Sequence, residues 1–338
     1  MLNFILILIF LSFPISSMGK YSSPSLDFGA QINNPAVLAN FYKNASFNIT
    51  HLMGQDSVKD DSQTIEGNVL IRSETDYKLS GEQFLLNLKF QNIGMQLLYS
   101  PKIKISKTIP LNTQKSFYNE HLKKMKAYLG YKVLNDINIG INYTSLLRTI
   151  FSGSTDGASN FYSDRLAKSI FGSGLTYSIN NFLFLGMGIN IVLTKGDNMV
   201  ANMWQENYLS ASYAQSFEKF ITRMELTLLT TPEAKERSTS TQLQNHHPKT
   251  FKYIIDFELK VRNLIPLAKT TLFKIINSKQ TDNGINNGKE KKSTELSYGI
   301  TASFTNFNIG AILKNLSIVE GIRKSKFQTI AFDISIAI

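Results

Sequence analysis

The sequence predicts an all-β fold: an antiparallel transmembrane β-barrel of about fourteen strands, with a short N-terminal plug segment. Three observations carry this expectation. Apolar and polar residues alternate with period two over runs of roughly ten residues, the length a tilted strand needs to cross hydrocarbon. Across each short turn the alternation stays in phase, so the apolar residues of both strands share one face. Short turns also alternate along the chain with long polar connections, as periplasmic turns and external loops do in outer-membrane barrels.

Residues 1–19 come first. Positions 2–15 are almost wholly apolar, and Ser16, Ser17, Met18 and Gly19 precede the first charge, Lys20. That length suits the apolar region of a signal peptide and is too short to anchor in a bilayer. Residues 1–19 are therefore expected to be an export signal, cut near Gly19. Residues 20–44 lack β alternation yet contain Leu26, Phe28, Ile32, Val37 and Leu38, more apolar side chains than a solvated linker normally holds. They are expected to fold inward as a plug or hatch, with Asn34 starting a turn and Pro35 fixing its first φ. The barrel is expected over 45–338, opening with a strand at 45–53. A strand-like run at 64–71 has no evident partner and is placed in the first external loop.

Six hairpins follow. In the first, Phe84, Leu86, Leu88 and Phe90 meet Ile93, Met95, Leu97 and Tyr99 across Gln91-Asn92. A two-residue turn pairs Phe90 with Ile93, and both lie on the apolar face. The hairpins 125–133/137–143, 175–179/183–193, 209–217/220–228, 251–262/268–276 and 298–304/307–313 repeat the pattern. A last segment, with Ile330, Phe332, Ile334, Ile336 and Ile338 on one face, closes the barrel. Together with 45–53 this makes fourteen strands, an even number as single-chain bacterial barrels require. The residues at 100–122, 145–170, 194–206, 229–250, 277–294 and 314–326 read as external loops.

The two faces carry different chemistry. Leu129, Ile139, Leu185 and Phe257 belong to stripes expected to face lipid. The opposite face is expected to line the lumen, with charges at Lys126, Lys132, Lys252, Asp256, Glu258, Lys260 and Arg262.

Composition excludes several classes. The chain has no cysteine, which removes thiolate metal sites, disulfides and a lipid-anchored N-terminus. No stretch after residue 19 approaches the length of a transmembrane helix. The net charge of +11 comes from scattered basic residues, and the densest group (Lys289, Lys291, Lys292) falls in a Gly/Asn-rich loop, so no nucleic-acid partner is expected. His246-His247 has no chelating neighbour, and Asp56, Asp60 and Asp61 lack calcium-loop spacing and read as loop residues. Gly172, Gly174, Gly186 and Gly188 recur at period two, which reads as space inside a barrel and not as a phosphate loop. With no catalytic constellation, no enzyme activity, cofactor or metal is expected.

The element Asn34-Pro35-Ala36-Val37-Leu38-Ala39, just before the first strand, resembles the N-terminal hatch of FadL-like outer-membrane transporters, whose barrels have fourteen strands. The chain is also similar to an uncharacterised spirochaetal family of exported proteins related to that group. It lacks the Ala/Gly-rich stretch that usually precedes the element, and it ends in Ile338 where many such barrels end in an aromatic. The resemblance implies an outer-membrane location and passive uptake of fatty acids or other hydrophobic or small amphipathic molecules. It makes Asn34, Pro35, Ala36 and Leu38 the plug and gating residues, and outer-membrane lipid and the barrel assembly machinery the partners. The residues alone leave two alternatives open: a water-filled, mildly anion-preferring porin, and a surface scaffold whose loops bind another protein.

Overall fold

Period-two alternation selects extended backbone, because only a strand puts successive side chains on opposite faces. The computed structural model describes residues 21–22, 33–40, 45–63, 70–111, 114–154, 162–197, 199–231, 234–237, 244–247, 250–265, 268–286, 289–305, 307–320 and 323–337. The expected export signal at 1–19 lies outside them.

Among the described residues, fourteen strands form one closed antiparallel barrel. They are β1 (Ala45–Gln63), β2 (Leu70–Phe90), β3 (Ile93–Leu111), β4 (Gln114–Lys132), β5 (Ile137–Ser154), β6 (Tyr162–Ser178), β7 (Leu183–Gly196), β8 (Met199–Ser216), β9 (Phe220–Thr231), β12 (Thr250–Arg262), β13 (Thr270–Asn286), β14 (Lys289–Ser303), β15 (Phe307–Glu320) and β16 (Arg323–Ala337). Between β9 and β12, β10 (Ala234–Arg237) and β11 (Gln244–His247) make a separate two-stranded ribbon. β1 closes the ring against β16, with Ile49 opposite Ile334 and Leu52 opposite Ala331. Closure leaves no strand edge unpaired, the condition a sheet must meet in lipid.

At the short-turn rim the expected registers hold. Phe90 pairs with Ile93. The amides of Ile179, Phe217 and Phe304 donate to the carbonyls of Leu183, Phe220 and Phe307 at 2.9, 2.7 and 2.8 Å. Local chemistry shapes these turns. Asn180 Oδ1 accepts from the amides of Phe182 and Leu183 at 2.8 and 2.7 Å, and Gln91 takes a φ of 49°, the left-handed conformation that tight hairpins use.

The opposite end differs from expectation. β3 runs to Leu111 and β4 begins at Gln114; β13 ends at Asn286 and β14 begins at Lys289. Asp56, Asp60 and Asp61 therefore lie in β1, and Lys289, Lys291 and Lys292 in β14, instead of in loops. The wall continues past the apolar belt, and backbone pairing persists there. The run 64–71 is reassigned for the same reason: Leu70 and Ile71 open β2 and pair with Gln63 and Ser62, while 64–69 lie outside the described residues.

The outward face is a broad apolar belt. Leu129 is 40% exposed, Ile139 45% and Ile141 61%. Leu185 and Phe257 are half-exposed in the same stripes, Phe257 standing between Met224 and Ile275 of its neighbours. Aromatic pairs gather at the short-turn rim, with ring centroids 4.4 Å apart for Phe217–Phe220 and 4.5 Å for Phe304–Phe307, as in the interfacial girdles of membrane barrels. Water would penalise so much contiguous apolar surface, and hydrocarbon does not. The barrel spans a membrane.

The inward face is not uniformly polar. Leu52, Leu79, Ile103, Leu122, Ile312 and Ala331 form a buried apolar cluster with Leu146 packed on it. Beside this cluster β3 carries one extra residue relative to both neighbours, between Ser100 and Ile103. Pro101 sits in that bulge, where its missing N–H costs no ladder hydrogen bond.

Candidate functional site

A row of glycines crosses the inner wall. Gly94, Gly130, Gly140, Gly174 and Gly188 are cross-strand partners on the five adjacent strands β3 to β7, and Tyr208 of β8 continues the row. The absence of five side chains leaves a trough. Into it packs η1 (Pro35–Asn40), a 3-10 turn whose residues Pro35 to Ala39 are all buried. A Cβ at Gly130 would stand 2.5 Å from the Pro35 carbonyl oxygen, and one at Gly140 2.5 Å from the Ala36 nitrogen. Cβ atoms at Gly94 and Gly174 would collide with Leu38 and Asn34. These glycines are required by close backbone approach. Val37 and Leu38 then pack against Tyr128 of β4, and the Lys89 ammonium of β2 donates to the Ala39 carbonyl.

Asn34 organises the start of η1. Its Oδ1 accepts from the Ala36 amide at 3.1 Å, and its carbonyl accepts from Val37 at 3.2 Å. Its Nδ2 donates to the Tyr21 carbonyl at 2.7 Å and to Leu175 of β6 at 3.2 Å. One side chain thus ties the turn to the barrel wall and to an earlier part of the chain.

That earlier part is clasped by a buried charge cluster. The amides of Tyr21 and Ser22 donate to the Glu225 carboxylate at 2.8 and 3.2 Å, and Ser22 Oγ donates to it at 3.0 Å. Glu225 pairs with Arg223, which also reaches Asp256 at 3.2 Å and Glu258 at 3.9 Å. All four side chains are buried. The Tyr21 ring lies 4.9 Å from that of Tyr208. Burial first, then the proximity of Tyr128 and Glu225, pushes the Tyr21 hydroxyl far above its usual range, so it stays neutral.

Beyond the trough, away from the short turns, lies a cavity of about 120 Å³. Tyr21 and Tyr128 border it, and Lys124, Lys126, Lys168 and Glu206 supply its charges. Lys124 and Lys126 are buried at 3% and 4% exposure. Lys168 stands over the Trp204 ring at 5.4 Å, and Trp204 Nε1 donates to Glu206 at 3.3 Å.

The residues singled out in the sequence fall in several places. Asn34, Pro35, Ala36 and Leu38 come together in the trough. Lys126 lines the cavity, whereas Asp256 and Glu258 are held by Arg223. Lys252 and Lys260 are half-buried on β12, and Lys132 is half-buried at the end of β4. Arg262 is exposed at the short-turn rim and donates to the Glu218 carbonyl at 3.3 Å. Sequence reasoning missed Tyr21, Ser22, Arg223, Glu225, Lys124 and Lys168. Arg223 and Glu225 were visible as charged residues alternating with Met224 and Leu226 on the inward face of β9.

No protein-family model matches the sequence, and a comparison with curated proteins finds no match. Solved structures share the fold. The Pseudomonas putida toluene transporter TodX superposes with a TM-score of 0.59 at 9% identity, over 96% of each chain. The Ralstonia pickettii toluene transporter TbuX gives 0.57 at 8% identity, over 90% of this chain and 92% of that one. A Pseudomonas aeruginosa FadL homologue gives 0.53 at 10% identity, over 90% and 93%. The fold is that of FadL-like outer-membrane transporters.

Proposed function

We propose that this barrel is an outer-membrane channel, closed by η1, that lets hydrophobic or small amphipathic molecules, fatty acids among them, pass down their gradient. The observation that carries the reading is the seating of Pro35–Asn40 in the glycine trough, across the inner wall of β3 to β6. The shared fold with two toluene transporters and a FadL homologue supports it. Asn34, Pro35, Ala36 and Leu38 act as the gate. A molecule entering from the far end meets the cavity first, and displacing η1 opens the way toward the short-turn rim. Outer-membrane lipid surrounds the belt, and the barrel assembly machinery inserts it.

Vesicles carrying the purified protein should admit labelled fatty acid or toluene faster than protein-free vesicles, and equal rates would overturn the proposal. A second reading, an anion-preferring pore, draws on the three lysines at one cavity. A steady anion-selective conductance from the intact protein would favour it.

A further inference from the structure

We infer that Lys102, Lys104 and Lys123, on the outer wall at the edge of the apolar belt, hold the phosphate of an anionic membrane lipid. The site faces the membrane, away from the short turns, and does not depend on what the barrel transports.

Register brings the three lysines together. Phe84 of β2 pairs with Tyr99 of β3, and Tyr99 pairs with Met125 of β4. These residues mark the edge of the belt, and the next outward side chains on the three strands are Glu82, Lys102 and Lys123. The bulge in β3 decides which residues face each other. Ser100 pairs with Lys124 and Ile103 with Leu122, so Pro101 and Lys102 together oppose Lys123. Both bulge residues are exposed, whereas Ser100 and Ile103 on either side are buried against the interior. Lys104 follows on the same face, about 6.6 Å along the strand, opposite His121. Lys102 and Lys123 are separated at the backbone by about one strand spacing, roughly 5 Å.

Like charges directly opposite on neighbouring strands destabilise a sheet, and a phosphate between them turns that repulsion into charge-assisted hydrogen bonds. All three lysines are exposed, and Lys78 of β2 adds a fourth exposed cation nearby. Among the described outward residues of the patch, Glu82 is the single carboxylate; its register partner on β1 is His51. The patch is therefore positive as a whole. Its depth fixes the kind of anion. The Lys123 ammonium stands 5.9 Å from the centroid of the Tyr99 ring, and Tyr99 is 41% exposed at the border of the belt. Leu97 and Met125, equally exposed, continue the apolar surface below it. Lysines at this height lay their stems on the belt and lift their charges into the headgroup layer. A soluble anion would meet only the lysines, whereas a lipid also lays its acyl chains on the belt.

Full-length protein in a neutral detergent can be titrated with short-chain phosphatidic acid, phosphatidylcholine or diacylglycerol, and bound lipid counted by native mass spectrometry. Phosphatidic acid should bind at least about tenfold tighter than phosphatidylcholine, the worth of one added charge-assisted contact, and diacylglycerol should not be retained. Added salt should weaken the phosphatidic acid complex. Lys102→Gln, Lys104→Gln and Lys123→Gln should each weaken it about fivefold, and the triple variant about a hundredfold. Glu82→Gln should tighten it, and Lys219→Gln, at the short-turn rim, should leave it unchanged. Heat-modifiable migration on a gel confirms that every variant is folded. Equal affinity for phosphatidylcholine would overturn the inference, as would unchanged phosphatidic acid binding in the folded triple variant. Inorganic phosphate that displaces phosphatidic acid at equal concentration would overturn it too, since the lysines would then serve any phosphate and the belt would add nothing. Specific phosphatidic acid binding by a protein that transports nothing supports the lipid site and overturns only the channel reading.

Discussion

Arg223 shows how much the interior depends on single residues. It is fully buried and sits among Glu225, Asp256 and Glu258. Removing one partner of a buried ion pair costs about 3–5 kcal/mol, because the charge left behind is neither solvated nor paired. Arg223→Met removes the cation that three carboxylates share. It should lower the temperature of the heat-modifiable gel transition and weaken the clasp on Tyr21 and Ser22. An unchanged transition would mean that the cluster contributes nothing to the fold. The glycines make the complementary point. Gly172, Gly174, Gly186 and Gly188 were legible as vacant space from their spacing alone. What fills the space was not, because Asn34 meets Gly174 across 140 positions of sequence and only the closed barrel brings them together.

At the scale of elements, the hairpins were legible because a buried or lipid-facing stripe of period two admits one register. Phe90 opposite Ile93 and Leu129 opposite Ile141 follow from that pattern. Strand length was not legible. β2 spans 21 residues, beyond the 9–11 or so that hydrocarbon demands, and its outer part has no hydrophobic contrast to mark it. The bulge of β3 was also missed, since Pro101 reads equally well as the end of a strand. The outward stripes give a direct test. Phe257→Arg places a charge in the belt at a cost of about 2–4 kcal/mol near the bilayer midplane, and should block assembly in vesicles. Lys260→Glu, on the other face, should assemble normally. The reverse pattern on a heat-modifiable gel would mean that inside and outside are exchanged.

For the whole molecule, the parts form one sequence of layers. An apolar belt holds the barrel in the membrane, a glycine trough in its inner wall receives η1, and a lysine-rich cavity bordered by Tyr21 and Tyr128 lies beyond the trough. The turn at Asn34-Pro35-Ala36 was readable from sequence because Asn and Pro form turns, and its inward packing from the apolar side chains around it. The hold of Glu225 on Tyr21 and Ser22 was hidden, as it joins residues 204 and 203 positions apart. The measurement that bears most directly on this arrangement is conductance in a planar bilayer, comparing the full chain with a variant lacking residues 21–40. A barrel closed by η1 gives a silent full-length protein and a steady conducting path in the shortened one, with both showing the gel shift of a folded barrel. Equal conductance from the two folded proteins would contradict it, because η1 would then close nothing.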